Sequence, residues 1–374
     1  MRRKKGSKAD KIVLTGGHAA TTAVAVIEEI KKDSEALLWE LYWLGEKYAF
    51  EGKKALSLEY QVLPKLGVNF VSLVSGRLQK RFTFWTIPSI IKIPIGFIHA
   101  SFILLRIRPK VVLSFGGFSS FPVVFISWLM RVPVIIHEQT SAVGRANRLA
   151  SVFAIKIAIS RESSKKYFSV KKTKLIGNPI LNSIKKVKPK SKLPSSPNLF
   201  ITTGSRGSVP VNKLVKEILK ELLLEFNVYH QTGPINFEDF STLKSTLPLE
   251  LRNKYNPRST IDPFEMHEYY RESDIIVARA GANTVSEIIA IKRPAILIPL
   301  PFAHLNEQTL NAKVAQRTKI VTLLNQETLT SKNLLKEIRN IRNSWEKLIS
   351  SHEKIDIEDN KAASRLVSLL KEEI

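Results

Sequence analysis

Cysteine is absent from the 374 residues. That excludes disulfides, Cys-ligated zinc and thiol nucleophiles, and it fits a reducing compartment. Acidic side chains are missing from Tyr60 to His137, although Lys65, Arg77, Lys80, Arg81, Lys92, Arg106, Arg108, Lys110 and Arg131 fall in that stretch. No Asp-x-Asp pair follows an apolar run; Asp356 and Asp359 lie in a stretch that reads as a helical tail. No short-period repeat is visible, which argues against a solenoid. An uninterrupted membrane span is lacking too. Val111–Met130 carries no charge over 20 residues, but Gly116-Gly117 and Ser119-Ser120 break it where a strand-loop-helix unit would break, and Pro122 suits a first helical turn. The basic N-terminus and the apolar run after it imitate a leader, yet Gly16, Gly17 and His18 interrupt the run and Glu28-Glu29 continue a helix.

The charge is far from balanced, at +25, and 44% of residues are hydrophobic, enough for real cores in a chain long enough for about two domains. Such a protein seeks phosphate: nucleic acid, an anionic membrane face or a phosphorylated ligand. Over residues 77–110 the basic residues are interleaved with Phe82, Phe84, Trp85, Ile90, Ile91, Ile93 and Phe97. Over the whole segment isoleucine and leucine outnumber the aromatics, which fits a membrane-surface patch better than a groove of base-stacking platforms. No nucleic-acid recognition motif is present.

Apolar runs alternate with helical patterns along the whole chain, which predicts an α/β protein of two Rossmann-like, doubly wound domains facing each other across a cleft. Strands are expected at Lys11–Leu14, Ala36–Trp43, Val68–Leu73, Val111–Ser114, Val132–His137 and 153–159. Residues 77–107 read as helical, broken at Pro88 and Pro94. The first domain would run over residues 1–181. Residues 182–197, rich in Lys, Pro and Ser, read as a linker. A second domain would cover 198–345, with strands at Asn198–Thr202, Asn227–Gln231 and Ser259–Ile261, and a helical tail would cover 346–374.

Ligands of doubly wound sheets sit at the carboxyl ends of the strands. Thr15-Gly16-Gly17-His18, Gly116-Gly117-Phe118 and His137-Glu138-Gln139-Thr140 occupy such ends in the first domain, and Thr203-Gly204-Ser205-Arg206-Gly207-Ser208 in the second. His18 can serve as a base near neutral pH, or be a loop histidine held by hydrogen bonds. Residues 275–311 form a strand-helix-strand unit with a polar loop after each strand. Arg279, Glu287, Gln308 and Asn311 lie in or just after those loops, where all four can face one phosphorylated ligand. Equally, Thr284-Val285-Ser286-Glu287 fits a capping box, which would make Glu287 a cap and Arg279 a solvated charge.

In this order and spacing the motifs resemble the MurG family of peptidoglycan glycosyltransferases, the GT-B enzymes of glycosyltransferase family 28. The segments are TGGH at 15–18, LSFGGFSSFP at 113–122, PVIIHEQTSAVGRANRLAS at 133–151, GNP at 177–179, TGSRGS at 203–208, HQTG at 230–233, and ARAGANTVSEI through EQTLNA at 278–312. The resemblance implies inverting transfer of N-acetylglucosamine from UDP-N-acetylglucosamine, a substrate and not a cofactor, to the 4-hydroxyl of undecaprenyl-pyrophosphoryl-MurNAc-pentapeptide (lipid I), without a metal. It implies a peripheral enzyme on the cytoplasmic face of the membrane, held there through residues 77–110, and no nucleic-acid partner.

By the same resemblance, Glu287 bonds the donor ribose, Glu307 and Gln308 the sugar hydroxyls, and Ser205, Arg206 and Gly207 the pyrophosphate, with Ile261 near the uracil. Arg279, Gly281, Thr284 and Asn311 complete the donor site. Thr15, Gly16, Gly17, Gly116, Gly117, Phe118, His137, Glu138, Gln139 and Thr140 form the acceptor site, and His18 is the general base. The chain departs from the family pattern at Val13-Leu14, where two glycines are usual, at Thr140 (Asn), Arg206 (Gln) and Glu307 (Gln), and at Asn283, where an apolar residue is usual. These departures motivate the alternative of a related GT-B UDP-sugar transferase acting on another lipid acceptor.

Overall fold

The computed structural model describes residues 9–49, 55–76, 86–353, 355 and 358–374. The chain divides into two compact units, residues 1–181 with 358–374, and residues 182–357.

In the first unit, seven parallel strands run β1 Lys11–Thr15, β2 Glu40–Gly45, β3 Asn69–Ser72, β4 Val111–Ser114, β5 Val134–Glu138, β6 Lys156–Ile159 and β7 Thr173–Leu175. Their spatial order is β3-β2-β1-β4-β5-β6-β7. The central strands are apolar runs without alternation because helices cover both faces; Ile12, Val13, Leu14, Val111, Val112 and Leu113 are fully buried. The second unit has six parallel strands: β8 Asn198–Thr202, β9 Asn227–Gln231, β10 Tyr255–Arg258, β11 Ile275–Ala278, β12 Ala295–Leu297 and β13 Val321–Leu323. Their order is β10-β9-β8-β11-β12-β13. Each sheet therefore reverses its winding once, between β1 and β4 in the first unit and between β8 and β11 in the second. These switch points open the crevices where doubly wound sheets take ligands.

Three local expectations are corrected. Residues 36–38 form a short 3₁₀ turn and the strand begins at Glu40. The strand expected at 259–261 lies earlier, at Tyr255–Arg258. Helix Thr86–Ile107 runs through Pro94 unbroken. Pro88 falls in its first turn, where the missing N–H costs no intrahelical bond.

Residues 182–197 pack on the second unit: Lys190 Nζ donates to Asp274 Oδ1 at 2.7 Å, and Arg293 donates to the Lys188 carbonyl at 3.0 Å. Helix Asp359–Lys371 packs against helix Ala20–Ile30 of the first unit. Buried Asp359 is its anchor, pairing with both guanidinium nitrogens of Arg161 at 2.6 and 2.8 Å and accepting from the Asn178 amide at 2.7 Å.

Candidate active site at two switch points

In the first unit the ends of β1 and β4 meet backbone to backbone. The Gly17 amide donates to the Gly116 carbonyl at 2.9 Å. Gly117 has φ +94°, and a Cβ there would stand 2.9 Å from the Gly17 nitrogen, so the residue must be glycine. Thr15 is buried and donates to the Leu44 carbonyl at 2.8 Å, tying β1 to β2. His18 follows at φ +59°, exposed, in a left-handed conformation that is uncommon for residues other than glycine but that histidine adopts more readily than most. Phe118 is also exposed at this edge, at 37%.

The polar cluster after β5 is largely scaffold. Glu138 is buried and accepts four hydrogen bonds. Its Oε1 takes the Thr140 amide at 3.0 Å and hydroxyl at 2.8 Å, and its Oε2 takes the Gly144 amide at 3.0 Å and Asn147 Nδ2 at 2.9 Å. His137 is fully buried, which pushes its pKa down to about 4 and keeps it neutral. Its Nε2 lies 3.1 Å from the Gly177 carbonyl, which places the proton on Nε2, while Nδ1 has no hydrogen-bond partner among the described residues. These two side chains shape the loop from below; Gln139 and Thr140 are half-buried at its surface. Asn147 was not singled out from the sequence. Its Nδ2 also donates to the His137 carbonyl at 3.2 Å, and a Cβ at Gly116 would meet its Oδ1 at 2.5 Å. It therefore joins the β5 loop to the β4 turn, and its place inside the PVIIHEQTSAVGRANRLAS segment was the available signal.

In the second unit the glycine turn after β8 abuts the turn after β9. Gly207 and Gly233 both have left-handed backbones, at φ +73° and +77°. A Cβ on Gly207 would fall on the Thr232 carbonyl, and one on Gly233 on the Arg206 carbonyl. Beneath them Asn212 Nδ2 donates to the Thr232 carbonyl at 2.7 Å, and neutral His230, its pKa pushed down to about 3 by burial, sits between Asn212 Oδ1 at 3.2 Å and the Tyr255 hydroxyl at 3.0 Å. Ser205 and Arg206 are exposed on the turn, and Ile261 is buried.

Arg279 crosses the switch point between β8 and β11. It donates to the Ile298 carbonyl at 2.9 Å, the Pro299 carbonyl at 3.2 Å, Ser208 Oγ and Gln326 Oε1. Its guanidinium is thus a tie between four segments as well as a positive charge, and the expectation of a solvated loop charge is set aside. Gln308 Oε1 accepts the Leu300 amide at 2.9 Å, and buried Asn311 donates to the Ala280 carbonyl at 3.2 Å. Arg279, Gln308 and Asn311 therefore converge on the loops at 279–281 and 298–300. Glu307, half-buried, opens helix Glu307–Gln316, where a carboxylate suits the positive end of the helix.

The capping box is overturned. Helix Ala282–Ile291 starts two residues ahead of Thr284, with Gly281 as its N-cap and no side-chain cap. Glu287 lies a turn and a half inside, beyond reach of the cap. It accepts instead from the Tyr270 hydroxyl at 2.8 Å. Burial pushes the Glu287 carboxyl up to about 7, and the Tyr270 hydrogen bond partly offsets that rise. Among the described residues no group of three or more His, Asp or Glu is placed to hold a metal ion.

The chain matches the glycosyltransferase family 28 N-terminal domain over residues 15–159 and the family 28 C-terminal domain over residues 198–367. A Clostridium botulinum (strain Kyoto / Type A2) relative, named as a UDP-N-acetylglucosamine–N-acetylmuramyl-(pentapeptide) pyrophosphoryl-undecaprenol N-acetylglucosamine transferase, is 31% identical over 338 residues, 88% of this chain and 90% of its own. A Legionella pneumophila (strain Paris) protein of the same name is 29% identical over 374 residues, 97% of this chain and 96% of its own. The crystal structure of Acinetobacter baumannii MurG superposes with a TM-score of 0.69 at 20% identity, covering 97% of this chain and 99% of that one. A similar likeness in fold, TM-score 0.61 at 12% identity over 97% and 99% of the two chains, extends to a Methanocaldococcus jannaschii UDP-GlcNAc 2-epimerase in complex with UDP-GlcNAc and UDP.

Proposed function

Since the chain belongs to glycosyltransferase family 28, we propose that it transfers N-acetylglucosamine from UDP-N-acetylglucosamine to the 4-hydroxyl of undecaprenyl-pyrophosphoryl-MurNAc-pentapeptide in peptidoglycan synthesis. The observation that carries this reading is the division of labour between the two switch points. The second unit offers turn amides and an acidic side chain to a nucleotide diphosphate, and the first offers an exposed histidine.

His18 takes the proton of the acceptor hydroxyl as that oxygen attacks the anomeric carbon. The bond from that carbon to the diphosphate oxygen breaks, UDP departs with the electron pair, and the sugar inverts. The turn at 204–207 is closed by the Gly207 amide on the Gly204 carbonyl at 3.0 Å, and the amides of Ser205 and Arg206 at its tip stabilise the departing diphosphate, as fixed donors do where negative charge develops, with the positive charge of Arg279 tied to the same loop through Ser208. Glu287 receives the ribose hydroxyls, and Gln308 with Glu307 the sugar. On this reading turnover persists in excess EDTA; a strict requirement for magnesium or manganese would overturn it.

The acceptor sits in an anionic leaflet, and the first unit has a surface for it. Ile95, Ile98, Phe102 and Leu105 recur at helical spacing along helix Thr86–Ile107 and face outward, Ile98 at 60% and Phe102 at 69% exposure. The neighbouring helix Phe121–Leu129 adds exposed Trp128 and Leu129. Lys92 and Arg106 lie on the same helix at helical spacing from the stripe, and Arg106, Arg108 and Lys110 line a hollow at its C-terminal end together with Asp10 and Glu40. An apolar stripe rimmed by cations binds an anionic surface reversibly, which supports a peripheral position on the cytoplasmic face. No helix among the described residues is long and apolar enough to cross a membrane. Lys80 and Arg81, expected in the same surface, lie outside the described residues.

The deciding experiment is a turnover assay with a panel of UDP-sugars and purified lipid acceptors. Only UDP-N-acetylglucosamine with the muramyl-pentapeptide lipid should give product. Preferred turnover of another sugar or lipid would favour the alternative that the departures at Thr140, Arg206 and Glu307 suggest.

A further inference from the structure

Tyr270 lies on helix Met266–Glu272, outside every motif that pointed to the donor site. Its side chain is 1% exposed, one of the largest fully buried in the protein, and its ring stands edge-on to Phe200 at 6.0 Å. A buried phenol normally finds a partner for its hydroxyl, and an unpaired one is costly. Here the partner is Glu287 Oε2, at 2.8 Å. That bond joins helix Met266–Glu272 to helix Ala282–Ile291. The elements packed against helix Ala282–Ile291 carry other charges: Lys185 on helix Asn182–Lys185, and Glu307 and Lys313 on helix Glu307–Gln316. Burial is the main cause of the raised Glu287 pKa, and the Tyr270 hydrogen bond opposes it.

We propose that Tyr270 is a positioning residue for donor binding, its hydroxyl holding Glu287 Oε2 so that Oε1 is presented to the ribose of the nucleotide sugar. The inference rests on the reading of Glu287 as the ribose ligand. A glutamate has three side-chain torsions, and a carboxylate must have its lone pairs fixed before two ribose hydroxyls arrive, or binding bears the cost of fixing them. The stem is half-buried on helix Ala282–Ile291, and the Tyr270 hydroxyl holds one oxygen of the head. It has a second effect. The carboxyl titrates at about 7, and the same hydrogen bond is what keeps it from rising further. A carboxylate accepts from a diol better than a carboxylic acid does. Without the hydroxyl, a smaller fraction of the protein is therefore competent for the donor at neutral pH.

The test is Tyr270→Phe, which keeps the ring against Phe200 and removes only the hydroxyl. The expected result is a donor KM raised about tenfold, the scale of one hydrogen bond to a charged group, with kcat within about twofold. The acidic limb of the donor kcat/KM profile should move to higher pH. A merely structural role would lower the melting temperature and leave that limb in place. Glu287→Gln, assayed beside it, separates the two ideas. If Glu287→Gln raises the donor KM while Tyr270→Phe changes neither KM nor the pH profile, the positioning role is overturned and the ribose reading stands. If Glu287→Gln leaves the donor KM unchanged, the ribose reading fails and the inference fails with it.

Discussion

The two units use one strand plan, in which sheets wind outward from β1 and from β8 and reverse toward β4 and β11, and they finish their crevices in opposite ways. In the first unit glycine meets glycine across the reversal, Gly17 against Gly116 and Gly117, and the first side chain beyond the turn, His18, is left exposed. In the second unit the reversal is bridged by Arg279, whose guanidinium is engaged by Ser208, Gln326 and two carbonyls. The same plan thus yields one crevice with an exposed histidine and one bridged by a guanidinium. On the proposed function these differences divide the work, with proton removal assigned to the first and charge stabilisation to the second.

The largest expected effect tests the first half. His18→Ala should lower kcat by roughly 10²–10⁴, the usual contribution of a general base, with donor KM nearly unchanged, read in steady-state assays at saturating acceptor. If the rate is unchanged, His18 is a loop histidine and the comparison loses its acceptor side.

The next effect separates strain from close approach in the second unit. Gly204 and Gly207 are both left-handed, at φ +86° and +73°, but a Cβ on Gly204 meets nothing within 4 Å, whereas one on Gly207 falls on the Thr232 carbonyl. Gly204→Ala should cost roughly 1–2 kcal/mol of stability, the penalty of a left-handed alanine. Gly207→Ala should cost more, push the turns at 204–207 and 232–233 apart, and raise donor KM along with it. Chemical denaturation and donor titration read the two effects. Equal costs would mean that the abutting turns have room to yield.

Much of this was legible in the residues. Five of the parallel strands run into a glycine turn, so β1, β4, β8, β9 and β11 and their loops could be placed from Lys11–Gly17, Val111–Gly117, Asn198–Gly207, Asn227–Gly233 and Ile275–Gly281. What could not be read was set by partners distant in sequence. Thr284 and Glu287 have capping-box spacing, but Gly281 starts the helix earlier and Tyr270 claims the carboxylate. Arg279 reads as a free loop charge because Ser208, Ile298 and Gln326 are far from it along the chain. The cluster His137-Glu138 announces a site, yet both side chains are buried and serve the loop that carries Gln139 and Thr140. The return of helix Asp359–Lys371 to the first unit rests on Asp359 pairing with Arg161, and nothing in a charged amphipathic stretch announces that.

A moderate effect is expected at Glu138. Glu138→Gln keeps the shape but turns one acceptor oxygen into a donor facing the amides and hydroxyl that now point at it. Leaving such groups unpaired costs roughly 1–3 kcal/mol. The expected outcome is a loss of stability of that size and a higher acceptor KM, with donor KM unchanged. A donor defect of equal size would break the assignment of acceptor and donor to separate units.

The smallest effect concerns where the charge sits. A single basic side chain near an anionic leaflet contributes about 1 kcal/mol, so Arg106→Ser, at the end of the exposed stripe of helix Thr86–Ile107, should weaken binding to anionic vesicles about fivefold at low salt. Salt should shrink the difference, because the Debye length falls from about 10 Å at 0.1 M to about 3 Å at 1 M. Lys220→Ser, on an exposed position of helix Leu219–Glu225 in the second unit, removes the same charge and should leave vesicle binding unchanged. If both variants weaken binding alike, the attraction follows from the net charge of +25 and not from a surface. The apolar stripe would then have no part in presenting His18 to a lipid-borne hydroxyl. If only Arg106→Ser does so, the membrane contact belongs to the unit that carries His18.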